Sequence, residues 1–254
     1  MLFTFDIIII SAGIFFLAAL VHGSIGFGFP MIATPLLALT MDIQSAIIIT
    51  LIPTLMINLV TVTSEANYKL QGFIDAFKRN YLLAIYALLG TVVGTVILIY
   101  SNSELFKVLL AFAILVYLVS DHVKLNIPWI MNYPRSAKLI FGLSAGLLGG
   151  LTNVMAPVLI IYSLELKKSK RDIIQASNIC FLFGKITQIC LFTFSAKFTL
   201  NELSISSMMF VVSAIAITVG IQINKKINSE VYIKLLKLLL FSLAMVILLQ
   251  FSFK

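Results

Sequence analysis

The sequence predicts an all-α, polytopic integral membrane protein of about eight hydrophobic segments. Three observations predict it. Of 254 residues, 61% are hydrophobic and only 11% charged, against roughly 25% charged in a soluble domain. The mean hydropathy of +1.10 leaves too few polar side chains to cover a water-facing surface, and lipid is the solvent that tolerates one so apolar. The apolar residues are also gathered into runs, most of them near the ~20 residues that carry a helix across a bilayer.

The runs are 7–39, 43–62, 81–100, 105–121, 137–164, 172–195, 204–222 and 231–253. The first and fifth are long, at 33 and 28 residues, and each is broken by glycine and proline. The first break reads His22-Gly23-Ser24-Ile25-Gly26-Phe27-Gly28-Phe29-Pro30, and the fifth run holds Gly146, Gly149, Gly150, Thr152 and Asn153. The first run lacks the basic start and small-residue cleavage site of a signal peptide, so it is expected to be retained.

The two halves resemble each other. Gly28 and Pro35 are spaced as Gly150 and Pro157 are, Val93-Gly94 matches Val219-Gly220, and Asn102 to Phe106 matches Asn228 to Tyr232. These matches predict an internal duplication: a first membrane repeat over 1–123, a basic connecting loop over 124–136 and a second repeat over 137–254. Repeats with interrupted helices at corresponding places are a mark of secondary transporters.

The net charge is +8. The basic residues lie between the apolar runs, so they read as orientation signals rather than as a nucleic-acid surface. Apart from Lys185, 17 lysines and arginines remain. If every run crosses once, they divide almost evenly. If the first and fifth runs enter and return on the same side, only Lys107, Lys197 and Lys254 fall on one face. This second arrangement has a strong positive-inside bias, inverts one half relative to the other and sets both termini outside.

Glycine-rich breaks leave backbone N–H groups open, and a helix starting there turns its positive end toward the cavity. Two such tips make a candidate anion site from Gly26, Gly28, Gly149 and Gly150. Lys185 sits well inside the sixth run. A lysine at the centre of a membrane helix costs roughly 3 kcal/mol to insert. No acidic residue lies mid-membrane to balance it, so an anionic substrate is the economical counter-charge. Asn178 and Gln188 fall near its face at helical spacing, Thr152 and Asn153 follow the second break, and Ser24 lies in the first. Thr50, Thr54 and Asn58 form a polar stripe at i, i+4 and i+8 on the second run. His22 is the candidate proton site. Asp42 and Asp172 read as helix N-caps, and Cys180 and Cys190, about 15 Å apart on one helix, as packing residues.

Enzymatic templates are missing: there is no metal-spaced His/Cys/carboxylate cluster, no phosphate-binding GxxxxGK[ST] loop and no GxSxG elbow. The reading is of a non-enzyme without a cofactor. Its partners are the bilayer, a small anionic substrate and a coupling ion such as the proton. An anion channel and a non-transporting assembly protein are the alternatives.

The Gly26-Phe27-Gly28 to Pro35 break, its recurrence as Gly149-Gly150 to Pro157, the four-plus-four count and the length resemble the sulfite exporter TauE/SafE-like family over essentially the whole chain. The resemblance implies a bacterial inner-membrane transporter that exports, or sometimes takes up, sulfite, sulfonates or other small organic anions.

Overall fold

A computed structural model describes residues 5–66, 70–101, 104–122, 127–224 and 229–252. Among them there are eleven helices and no strand. In chain order they are α1 (Phe5–Ile25), α2 (Phe29–Ala38), α3 (Ile43–Glu65), α4 (Leu70–Tyr100), α5 (Glu104–His122), α6 (Pro128–Asn132), α7 (Pro134–Thr152), α8 (Ala156–Glu165), α9 (Lys170–Phe194), α10 (Leu200–Asn224) and α11 (Ser229–Ser252). Five of them (α1, α3, α4, α9 and α10) are long and apolar enough to cross a membrane. Large apolar side chains such as Ile9, Phe112, Ile186, Ile215 and Leu238 face outward, as a lipid-solvated surface requires.

The third run starts eleven residues earlier than its hydropathy suggests. The α4 helix begins at Leu70, because Asp75, Lys78 and Arg79 lower the hydropathy of its first turns without breaking the helix. The α3 and α9 helices are capped alike. Asp42 is extended at the N-cap of α3, and its carboxylate accepts the Ser45 N–H at 2.9 Å. On α9 the cap is Ser169, not Asp172 as the sequence suggested. The Ser169 hydroxyl accepts the Asp172 N–H at 3.2 Å and donates to the Asp172 carboxylate at 2.6 Å. Asp172 therefore sits in the first turn and closes a reciprocal capping pair.

Both broken runs fold back on themselves. Phe29, at the start of α2, packs edge-on against Phe15, midway back along α1, with ring centroids 5.6 Å apart. In the other half, Phe141 near the start of α7 meets Tyr162 near the end of α8 at 5.4 Å. Each reversal uses a left-handed residue, Gly26 at φ 96° and Asn153 at φ 70°. Glycine adopts that conformation freely and asparagine better than other side chains do.

The long arms of these hairpins pack very closely. A Cβ on Gly146 of α7 would lie 1.9 Å from the Ala87 carbonyl oxygen of α4, and one on Gly220 of α10 would lie 2.3 Å from the Leu20 carbonyl of α1. Small residues let membrane helices approach to backbone contact, where dispersion and weak hydrogen bonds replace the missing hydrophobic drive.

The corresponding positions differ by 127 residues through the first half of each unit. Asp42 pairs with Ser169 as N-cap, Gly26 with Asn153 as the left-handed residue, and α2 with α8 over ten residues each. Pro30 and Pro157 both stand second in those short helices, and Gly23 and Gly150 both abut a glycine of the neighbouring helix. The sequence match of Gly28 to Gly150 and of Pro35 to Pro157 was thus five residues out of register.

Candidate functional site

The two tips meet the facing helices α3 and α9 in a band of buried polar residues. Lys185, on α9, is fully buried. Its ammonium donates to the Asn153 side-chain oxygen at the second tip and to the Gln188 side-chain oxygen one turn on. No carboxylate lies within 4 Å of it among the described residues, so it is solvated by neutral amide oxygens alone. An ammonium carries three N–H donors, and these contacts use two.

Asn153 is the hub. Its amide nitrogen donates to the hydroxyls of Thr34 at 2.7 Å and Thr50 at 2.8 Å, while its oxygen receives Lys185. One side chain in a strained backbone position thus joins α2, α3 and α9 at the start of α8. Gln188 reaches the same tip a second time, donating to the Gly149 carbonyl at 3.5 Å. Thr152 closes the tip locally, donating to the Leu148 carbonyl at 2.8 Å and accepting the Val154 N–H at 3.3 Å.

The first tip is held by the other half of α9. The Asn178 amide donates to the Gly26 carbonyl at 2.8 Å and to the Ile174 carbonyl at 2.8 Å. His22 Nδ1 accepts the Phe29 N–H at 3.2 Å, and its Nε2 lies 3.1 Å from the Thr61 hydroxyl. That hydroxyl already donates to the Ile57 carbonyl at 2.8 Å. The imidazole is therefore assigned as the neutral Nε2–H tautomer, accepting at one nitrogen and donating at the other. It caps the first turn of α2, where Gly28 supplies no side chain.

Asn178 and Lys185 are seven residues apart, about 10 Å along the axis. The tips therefore pass each other, one on each side of the middle of α9. Between them lies the α3 stripe. Thr50 donates to the Ile47 carbonyl and Thr54 to the Thr50 carbonyl, each at 2.6 Å. Asn58 is fully buried, yet neither its amide nitrogen nor its oxygen has a partner among the described residues. The Asn178 oxygen and the Ser177 hydroxyl are likewise buried and unpaired. Buried polar groups are normally satisfied, so this cluster is suited to a polar guest. Asn58 and Lys185 stand at the same offset of 127 as the caps and tips, so the two facing positions differ by one positive charge.

A cavity of about 320 Å³ opens beside the first tip, lined by His22, Gly26, Thr61, Glu65, Lys170 and Arg171 among others. It brings two cationic side chains to the mouth of the polar band.

The expected site residues thus divide. Lys185, Asn153, Gln188, Gly149, Asn178 and Gly26 form one connected hydrogen-bond set, with Thr54 and Asn58 on the facing helix. Thr152 and Gly28 shape the tips. Gly150 and Ser24 serve packing instead: Gly150 abuts Gly94, and the Ser24 hydroxyl turns to the carbonyls of Leu20 and Gly220. Thr34 and Thr61 were not singled out from sequence. Their signal was a lone hydroxyl on an apolar helix, beside Pro35 in one case and continuing the Thr50–Thr54–Asn58 stripe in the other.

A family model described as Sulfite exporter TauE/SafE matches residues 11–249, which takes in both tips and all of α3 and α9. Comparison with curated proteins and with solved structures gave no match.

Proposed function

Because the chain belongs to the sulfite exporter TauE/SafE family, a family of multi-pass membrane transporters, we propose that it is a secondary transporter, working as an exporter, of a small oxyanion such as sulfite, an organosulfonate or a related organic acid. The observation that carries this reading is Lys185. It is a fully buried cation with amide oxygens for partners and no carboxylate. An arriving oxyanion supplies the missing charge, takes the third ammonium N–H and finds the unpaired amide of Asn58 on the facing helix. Open N–H groups at the start of α8, which has no side-chain cap, add the positive end of a helix dipole.

The burial of Lys185, Asn153 and Gln188 favours alternating access over an open channel, which needs a continuous water path. The shared offset of 127, the matched caps and the two folded-back runs support an inverted duplication, with α1–α2 and α7–α8 as hairpins entering from opposite faces of the bacterial inner membrane. The basic residues then collect on the cytoplasmic face, and both termini lie outside. In this arrangement His22 holds the first tip through both ring nitrogens. Protonating Nδ1 would break its bond to Phe29, which makes the residue a coupling point between proton and tip.

Flux of labelled sulfite and a panel of sulfonates and carboxylates into proteoliposomes tests the reading, with and without a proton gradient, for the wild type and Lys185→Ala. Saturable flux that needs Lys185 is expected. Flux unchanged by the substitution, or no flux of any anion by folded protein, overturns it.

A further inference from the structure

A second basic cleft lies apart from the polar band. It is a cavity of about 430 Å³ lined by Arg79 and Leu83 of α4, Lys138 of α7, Tyr162 of α8, Lys168 of the loop before α9 and Asp172 of α9, among others. Three cations from three elements meet one carboxylate there. Arg79 is engaged already, with its guanidinium 3.9 Å from Asp172 and donating to the Gln175 side-chain oxygen at 2.7 Å. Lys138 and Lys168 have no carboxylate within 4 Å among the described residues, and the Lys168 ammonium lies over the Tyr162 ring, 5.6 Å from its centroid.

The cleft therefore holds an excess of positive charge that no internal group balances. Burial, and then the charges of Lys138 and Arg79, hold the Lys168 ammonium below the ordinary lysine range against the pull of Asp172, which is the mark of cations gathered without a counter-ion. The deep residues are apolar: Leu83 and Tyr162 are buried, and they offer an anion no polar route onward to Lys185. Beside Lys138, Leu139 and Ile140 expose apolar side chains, so charged cleft and lipid-facing surface adjoin.

We propose that this cleft binds the phosphate group of an anionic ligand, with Lys138 and Lys168 as its two free cations and Arg79 held in place behind them. The same chemistry arrives on a phospholipid headgroup, whose acyl chains then run along Leu139 and Ile140, or on free phosphate. Basic pockets between membrane helices are suited to headgroups of this kind.

The test uses the full chain and reads binding rather than transport, so it stands or falls apart from the flux assay. Melting temperature in detergent and retained lipid by native mass spectrometry are measured after exposure to phosphatidylcholine vesicles with and without phosphatidylglycerol, and separately to inorganic phosphate. Wild type, Lys138→Gln/Lys168→Gln, the charge-retaining Lys138→Arg/Lys168→Arg and a control pair outside the cleft, Lys78→Gln/Lys167→Gln, are compared. A saturable phosphatidylglycerol site is expected, weakened roughly tenfold or more in the glutamine pair and kept in the arginine and control pairs. A stabilisation by phosphate alone with the same lysine dependence identifies the free anion as the source. Binding that survives in the glutamine pair, binding lost equally in the control pair, or no binding of either probe overturns the proposal.

Discussion

Giving Lys185 a permanent internal counter-ion separates an anion site from a merely buried lysine. Gln188→Glu is nearly isosteric and puts a carboxylate where the Gln188 side-chain oxygen now accepts from the ammonium. Two oxygens on one ammonium, each about 2.8 Å from it, stand about 5 Å apart. Like charges at that distance repel by about 3 kcal/mol at an effective dielectric of about 20, which is a factor of roughly 100 or more in affinity. The fold should not suffer, because a buried lysine gains a partner and every existing contact is kept. The assay is sulfite flux into proteoliposomes over a concentration series, with the melting temperature measured beside it. A Michaelis constant raised about 100-fold, or flux lost, with melting unchanged or higher is the expected outcome. Normal flux in a protein that melts normally would refute the reasoning, because a neutralised Lys185 would then still carry anion.

Lys185→Met removes the charge and leaves two amide oxygens unpaired. Each unpaired group costs about 1–3 kcal/mol, offset by roughly 3 kcal/mol of insertion cost removed, so saturable flux should be lost while melting shifts little. Gly146→Ala forces a methyl to 1.9 Å from the Ala87 carbonyl and should destabilise the chain by about 1–3 kcal/mol. Gly13→Ala has open space within 4 Å and should leave melting unchanged, so equal effects at the two sites would remove the case for close α4–α7 packing. Single cysteines at Tyr133 and Lys167, both exposed, in a chain without Cys180 and Cys190, should be labelled from the same side of the membrane. Labelling from opposite sides would exclude the folded-back fifth run.

Much of the site was legible because membrane helices make polarity rare. Lys185, Asn178, Gln188 and the α3 stripe stand out against an apolar background, and the breaks announced both tips. The register between the halves was misread for a physical reason. Matching identical letters aligned glycine with glycine, while the geometry aligns a left-handed Gly26 with a left-handed Asn153, two residue types serving one backbone conformation. The role of Asn153 was hidden for the same reason: its partners Thr34 and Thr50 are 119 and 103 residues away. The start of α4 was missed because hydropathy cannot distinguish a polar helical turn from a loop.

The grip of α9 on both tips has a mechanical meaning. Asn178 holds the first hairpin and Lys185 the second, and the α-helical backbone between them is stiff along its axis. Any tilt or slide that loosens one attachment shifts the load on the other. The α3 helix repeats the arrangement, with Thr61 at the first tip and Thr50 at the second. The molecule thus has two crossbars, each fastened to both gates, and a guest that breaks the Lys185 fastening at one gate changes the tension at the other.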